Sequence, residues 1–206
     1  MSSISPHNRV TQVRALTVTA MLSAVAFVLM FLDFSIPMLI PAFVKMDISD
    51  LPELLASFSL GPLYGAAVAL LKNLLHILIK GTSTAGAGEL CNFLFGTFFS
   101  VTAGIIYHGD KSRTRAIVGA IAGSVVMAVA SVPINLFISY PAYEKWYGLP
   151  IAVIVDMYKA ILPSVNSLLE CLIIFNLPFT LVKGLLCSLI CFLIYKPLSP
   201  ILHGKR

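Results

Sequence analysis

The chain has 206 residues, of which 58% are hydrophobic and 11% charged, with a mean hydropathy of +0.94 and a net charge of +5. Soluble domains carry roughly 25% charged residues, and 14 basic and 9 acidic side chains cannot give a molecule of this size a polar skin. The composition therefore argues against a cytosolic globular enzyme, excludes disorder, and leaves one integral membrane domain spanning residues 1–206. The basic residues cluster near predicted helix ends, a pattern of membrane topology rather than nucleic-acid binding.

Residues 1–14 are polar and contain Arg9 and Arg14. The apolar run 15–32 follows, long enough to cross ~30 Å of hydrocarbon as a helix, and Asp33 ends it. The stretch 34–43 holds Pro37 and Pro41 and cannot be a regular helix, yet it is strongly apolar. Irregular backbone is not tolerated against lipid, so this loop is expected to cover something. A short second helix is predicted over 47–60, and Gly61-Pro62 makes a turn and a helix start. A third helix is predicted over 63–79, a small-residue loop over 81–88, and a fourth helix over 89–107. A hydrophilic loop, 108–115, leads to a fifth helix over 116–140. The segment 141–170 is mixed, with part of a helix or a re-entrant piece, and a sixth helix is predicted over 171–195. A basic tail, 196–206, closes the chain.

Six crossings place both termini on one side of the membrane. That side holds Arg9, Arg14, Lys111, Arg113, Arg115, Lys196, Lys205 and Arg206, against Lys45, Lys80, Lys145 and Lys159 on the other. The excess of Lys and Arg marks the first side as cytoplasmic. No internal repeat supports an inverted-repeat transporter.

Polar side chains within spans are functional candidates. Asn176, Thr180 and Lys183 are spaced i, i+4, i+7 on one face of the sixth helix, as a ligand-binding stripe or with Lys183 in a structural ion pair. Asp47, Asp50 and Glu53 recur every three residues, and Lys72, His76 and Lys80 every four. The second and third helices are antiparallel about Gly61-Pro62, which sets Asp50 level with Lys72 and Asp47 near His76. The reading here is structural neutralisation, with Glu53 an alternative partner for Lys72. Asn135 lies late in the fifth helix, at the depth of the Asn176–Lys183 stripe. Glu89 and Asn92 open the fourth helix and face the outer vestibule. On the first helix Ala20 and Ala24 form a small-xxx-small pair, which suits either an internal contact or a partner subunit.

No GxxxxGK[ST], HExxH or GxSxG occurs, so ATP hydrolysis through a P-loop is excluded and no catalytic constellation stands out. Cys91, Cys171, Cys187 and Cys191 have no CxxC spacing and sit in apolar runs, as buried small residues rather than metal ligands. No signal peptide is evident.

The series Lys45-Met-Asp-Ile-Ser-Asp-Leu-Pro52, Gly61-Pro62, Lys72-Asn-Leu-Leu-His76, Gly81-Thr-Ser-Thr84 and Gly88-Glu-Leu-Cys-Asn-Phe93 carries a family resemblance. Pro178-Phe-Thr-Leu-Val-Lys-Gly184 and Tyr195-Lys196-Pro197 extend it. Over about residues 15–200 the chain resembles the substrate-binding S components of energy-coupling-factor (ECF) vitamin importers, within them the riboflavin-specific RibU family. The resemblance implies an all-α membrane fold of six transmembrane helices, both termini cytoplasmic, in the bacterial plasma membrane. It implies riboflavin binding without cofactor or metal, and import with a transmembrane T subunit and two ABC ATPase subunits.

Residue by residue, it implies ligand contacts for Asn135 and Lys183. Thr180 stands where the family usually has Asn, a departure that Asn176 could offset, or that suits a modified flavin. The 34–43 loop corresponds to the family's lid, and Ala20 and Ala24 to its T-subunit docking site. A flavin pocket needs a few donors and apolar walls. Lys183, Asn135 and Thr180 supply the donors, and Phe43, Met38 and Leu39 the walls. The alternatives are an S component for FMN or another vitamin, and a membrane-embedded enzyme built on Asp50, Glu53, Lys72 and His76.

Overall fold

The computed structural model describes residues 6–82, 85–146 and 148–203, with side chains described between residues 12 and 195. The elements are α1 (Pro6–Met30), α2 (Leu51–Ser59), α3 (Pro62–Lys80), α4 (Ala87–His108), α5 (Arg113–Ile134), α6 (Tyr140–Trp146), α7 (Ile151–Lys159), α8 (Leu168–Cys171) and α9 (Leu177–His203). No strand occurs among the described residues; a single bridge pairs Phe34 with Met46. The far ends of the basic tail, including Lys205 and Arg206, and residues 83–84 of the small-residue loop lie outside the described residues.

Five helical stretches are long and apolar enough to cross a membrane: 12–30, 62–80, 87–108, 113–146 and 168–195. The short α2 differs from the prediction over 47–60. Residues 47–50 are not helical because the Asp47 carboxylate turns back to accept the Ser49 N–H at 2.7 Å, and a short polar side chain that bonds its own backbone favours a turn over a helix. Pro52 then fits the first turn, where no N–H is needed. At nine residues α2 is only ~14 Å long.

The route of the chain shows what α2 does. Phe31, just past α1, meets His76 and Lys80 near the end of α3, so α1 and α3 finish at the same end of the bundle. At the other end His108 bonds the Ser57 carbonyl at 2.9 Å, and a Cβ at Gly104 would lie 2.1 Å from the Ser57 hydroxyl and 3.1 Å from Pro62. Residues 31–60 therefore return the chain through the bundle as a loop followed by α2. Gly61 makes the reversal with φ +127°, open to glycine alone.

The predicted helix over 116–140 starts at Arg113, capped by Ser112, and continues to Trp146. The predicted helix over 171–195 starts at Leu168, behind a capping box of Ser167 and Glu170, and runs on to His203. Both long helices widen into a π-helical turn, over Asn135–Ser139 and Leu172–Asn176. Each π turn ends two residues before a proline, Pro141 and Pro178. A proline ring clashes with the carbonyl four residues back; those carbonyls, of Phe137 and Ile174, lie inside the widened turns. The mixed segment 141–170 contains α6, α7 and the start of α8, in keeping with its part-helical reading.

The core has two main parts. One packs Leu51, Leu54, Leu55 and Phe58 of α2 against Phe99, Ala103, Met127, Cys187 and Cys191. The other gathers Ile40 of the loop with Tyr140, Ile154, Tyr158 and Leu172. Cys187 and Cys191 are buried thiols within the first core, as the apolar reading expects. The 34–43 loop is only partly buried: Ile40 is enclosed, while Met38 is 87% and Leu39 63% exposed.

Candidate functional site

A buried charge network lies where α2, α3 and α9 meet. Lys72 on α3 is fully buried; its ammonium lies 2.7 Å from Asp50, 2.5 Å from Glu53 and 2.7 Å from the Ser49 hydroxyl. The second oxygen of Asp50 lies 3.1 Å from the Lys183 ammonium on α9, and Asp47 lies 3.1 Å from it as well. The level placing of Asp50 and Lys72 is as the antiparallel register requires, with Glu53 joining rather than replacing Asp50. The expected pairing of Asp47 with His76 is not found. Asp47 sits on the loop ahead of α2 and swings to α9, while His76 Nδ1 lies 3.1 Å from Glu89. Desolvating two ammoniums is tolerable only with such close partners. Gly96 makes room for this: a Cβ there would lie 2.1 Å from Glu53 Oε2.

One face of the network opens on a cavity of about 190 Å³. Phe43, Val44, Lys45 and Asp47 form its loop wall, Gly88, Cys91, Asn92 and Phe95 its α4 wall. Asn135, Ser139, Tyr140 and Tyr143 line it from the widened end of α5 and from α6, and Asn176, Phe179, Thr180 and Lys183 from α9. Asn135, Asn176, Thr180, Lys183, Asn92 and Phe43 are thus brought together. The two π turns each put an asparagine on this wall, in keeping with the frequency of π turns at functional sites.

Asn176 is already engaged. Its Oδ1 accepts from the Tyr158 hydroxyl at 2.5 Å, and its Nδ2 donates to the Tyr140 hydroxyl at 3.2 Å. The two phenols are 2.8 Å apart. With the Tyr158 proton directed at Asn176, Tyr140 donates to Tyr158 and the ring of three bonds closes. Burial, and the Tyr140 hydroxyl beside it, push the Tyr158 phenol well above its usual range, so it stays a neutral donor. Asn176 retains one amide proton beyond this ring. Tyr158 comes from α7, so the triad fastens the 141–170 segment onto the cavity wall.

The remaining candidates lie elsewhere. Glu89 is buried beside the cavity but outside its lining, bonded to His76 and to Thr82 at 3.0 Å. Met38 and Leu39 lie on the exposed part of the loop, away from the cavity lining. Ala20 and Ala24 face outward from α1, whereas Thr19, Ser23 and Ala26 face inward and are buried. Among the described residues no group of His, Cys, Asp and Glu is arranged to hold a metal. The sequence reading missed Tyr140 and Tyr158, Cys91 with its bond from Ser139 at 3.0 Å, and the loop–α9 pairing of Asp47 with Lys183. Tyr158 carried a signal: it is an aromatic hydroxyl on a buried helix face that it shares with Ile154 and Val155.

The sequence profile of the family described as ECF transporter, substrate-specific component, matches residues 14–195. The chain belongs to this family. It is 37% identical over 188 residues to the riboflavin transporter RibU of Staphylococcus aureus (strain TCH60), covering 91% of this chain and 92% of that one. It is 32% identical over 197 residues to the riboflavin transporter FmnP of Bacillus subtilis (strain 168), covering 95% and 97%. A solved structure of the S component of a bacterial ECF transporter superposes with a TM-score of 0.72 at 34% identity, over 95% of this chain and 99% of that chain. This S component is accordingly an all-helical, multi-pass protein of the bacterial plasma membrane and a transport protein, not an enzyme. The buried acid–base patch of Asp50, Glu53, Lys72 and Lys183 is then part of a transporter's frame.

Proposed function

We propose that this S component binds riboflavin in the cavity between the 43–47 loop, α4, the widened end of α5, α6 and α9. The observation that carries the reading is the convergence of Asn92, Asn135, Thr180 and Lys183 on one cavity, in a chain aligned nearly end to end with two riboflavin transporters. A flavin offers a flat apolar ring edged by carbonyls and ring nitrogens, and a chain of hydroxyls. The aromatic walls Phe43, Phe95, Tyr143 and Phe179 suit the ring, and the asparagines, Thr180 and Lys183 suit its polar edge. Ligand pockets are roughly 300–1,000 Å³, so this reading requires the cavity of about 190 Å³ to widen around riboflavin. Its adaptable wall is the irregular chain ahead of α2, in which residues 34–43 act as the lid.

The polypeptide crosses the membrane six times, five times as long helices and once as the loop and α2 together. The balance of basic residues sets both termini in the cytoplasm. Import is driven by a membrane T subunit and two ABC ATPase subunits, and the T subunit docks on the outward Ala20–Ala24 face of α1. The chain purified from riboflavin-fed cells should be yellow, with a flavin absorption spectrum and the mass of riboflavin in the released pigment. A different vitamin released from the same preparation would overturn the assignment.

A further inference from the structure

Resting on the riboflavin reading, we infer that Tyr158 is a positioning residue: from behind the cavity wall its hydroxyl fixes the Asn176 amide, so that Asn176 offers the ligand an N–H donor. Tyr158 is fully buried on α7 and does not line the cavity, whereas its two hydroxyl partners, Tyr140 and Asn176, do. Its ring packs edge-on against Phe43, with centroids 6.3 Å apart, and tilted against Phe175 at 5.2 Å. Those contacts hold the ring, and the hydroxyl is what reaches Asn176.

The bond lengths assign the amide. The Tyr158–Asn176 contact is 2.5 Å and the Tyr140–Asn176 contact 3.2 Å. O–H···O bonds shorten to about 2.5 Å, whereas N–H···O bonds lie at about 2.7–3.2 Å. The amide oxygen therefore faces Tyr158 and the nitrogen faces Tyr140. An amide turned over would press its N–H against the Tyr158 oxygen more closely than such bonds allow. Tyr158 gives its proton to Asn176, and Tyr140 gives its own to Tyr158, 2.8 Å away. Both phenolic protons are spent within the triad, and the second amide proton of Asn176 is the donor left for the cavity. Without the Tyr158 hydroxyl, the Tyr140 proton loses its acceptor. It can pass to Asn176 only if the amide turns over and brings its oxygen round. Both orientations then become available, and the donor is no longer held toward the ligand.

The test is a riboflavin titration of the purified full chain as wild type, Tyr158→Phe, Asn176→Ala and the double variant, with the absorption spectrum of the bound flavin taken at saturation. Tyr158→Phe keeps the ring and its packing. It should weaken binding by about three- to tenfold, the worth of a neutral hydrogen bond, and Asn176→Ala should weaken it at least as much. The double variant should bind no more weakly than Asn176→Ala, because Tyr158 acts through Asn176. In Tyr158→Phe the visible band of the bound flavin should move toward its position in Asn176→Ala, a change that loosening of the frame alone would not produce. An unchanged affinity in Tyr158→Phe would overturn the inference, and so would a further loss in the double variant. Unchanged affinity and spectrum in Asn176→Ala would overturn it without any Tyr158 variant. A wild type that binds no riboflavin would strike the riboflavin reading, and this inference with it.

Discussion

Lys183 joins the buried charge network to the proposed binding cavity. It is placed by Asp47 and Asp50 and still borders the cavity, so the ligand reading and the ion-pair reading of its sequence position are compatible. A hydrogen bond to a charged group is worth about 1.5–3 kcal/mol, or roughly ten- to a hundredfold in affinity. Lys183→Met should weaken riboflavin binding by that factor in a fluorescence titration. Thr180→Val removes a neutral contact and should cost less, under about tenfold; the reverse order would show that Lys183 only supports the frame. Lys72 lies deeper and does not reach the cavity. Lys72→Met leaves Glu53 buried without its cation and Asp50 with Lys183 alone, and breaking such a buried cluster costs about 3–5 kcal/mol. Thermal unfolding in detergent should show a large fall in melting temperature, and an unchanged midpoint would contradict the role assigned to the cluster. The Asp50–Lys72 contact was legible in the sequence because an antiparallel register about Gly61-Pro62 fixes depth by residue number. Asp47 with Lys183 was not, since it joins a loop to a helix 136 residues away, and no periodicity links the two.

At the scale of the elements, hydropathy located the long helices, because every backbone group in lipid must be bonded within its own helix. Their ends were less legible. The continuation of α5 to Trp146 depends on a π turn that accommodates Pro141, and a proline read locally ends a helix. The same device before Pro178 turns Asn176 toward Tyr140 and Tyr158. The triad was missed because its members come from three elements, one of them in the segment 141–170. On α1 the pattern gave the small residues but not their direction. Ala20 and Ala24 face outward; such small side chains let another helix approach closely, and close packing drives association in lipid. Replacing both with Trp should abolish complex formation with the T subunit and uptake, while riboflavin binding by the isolated chain persists. Assembly and transport by the double Trp variant would place the partner surface elsewhere.

For the molecule as a whole, the division of labour follows from what the chain contains. It has a cavity ringed by donors and aromatic walls and belongs to a family of substrate-specific components of ECF transporters, which is in keeping with recognition by this subunit and energy from partner subunits. The sequence revealed the membrane class and family through composition and a spaced series of polar residues in apolar surroundings. It did not reveal that residues 31–60 return the chain through the bundle as a loop and α2 together, since a nine-residue helix and a proline-rich apolar stretch give no single hydropathy peak. The most direct test of the account is a riboflavin titration of the purified chain alone, in detergent, without nucleotide or partner subunits. Quenching of flavin fluorescence should saturate at one riboflavin per chain with a Kd below the micromolar range. The absence of any saturable response in that range would contradict the claim that this chain by itself is the riboflavin-binding subunit.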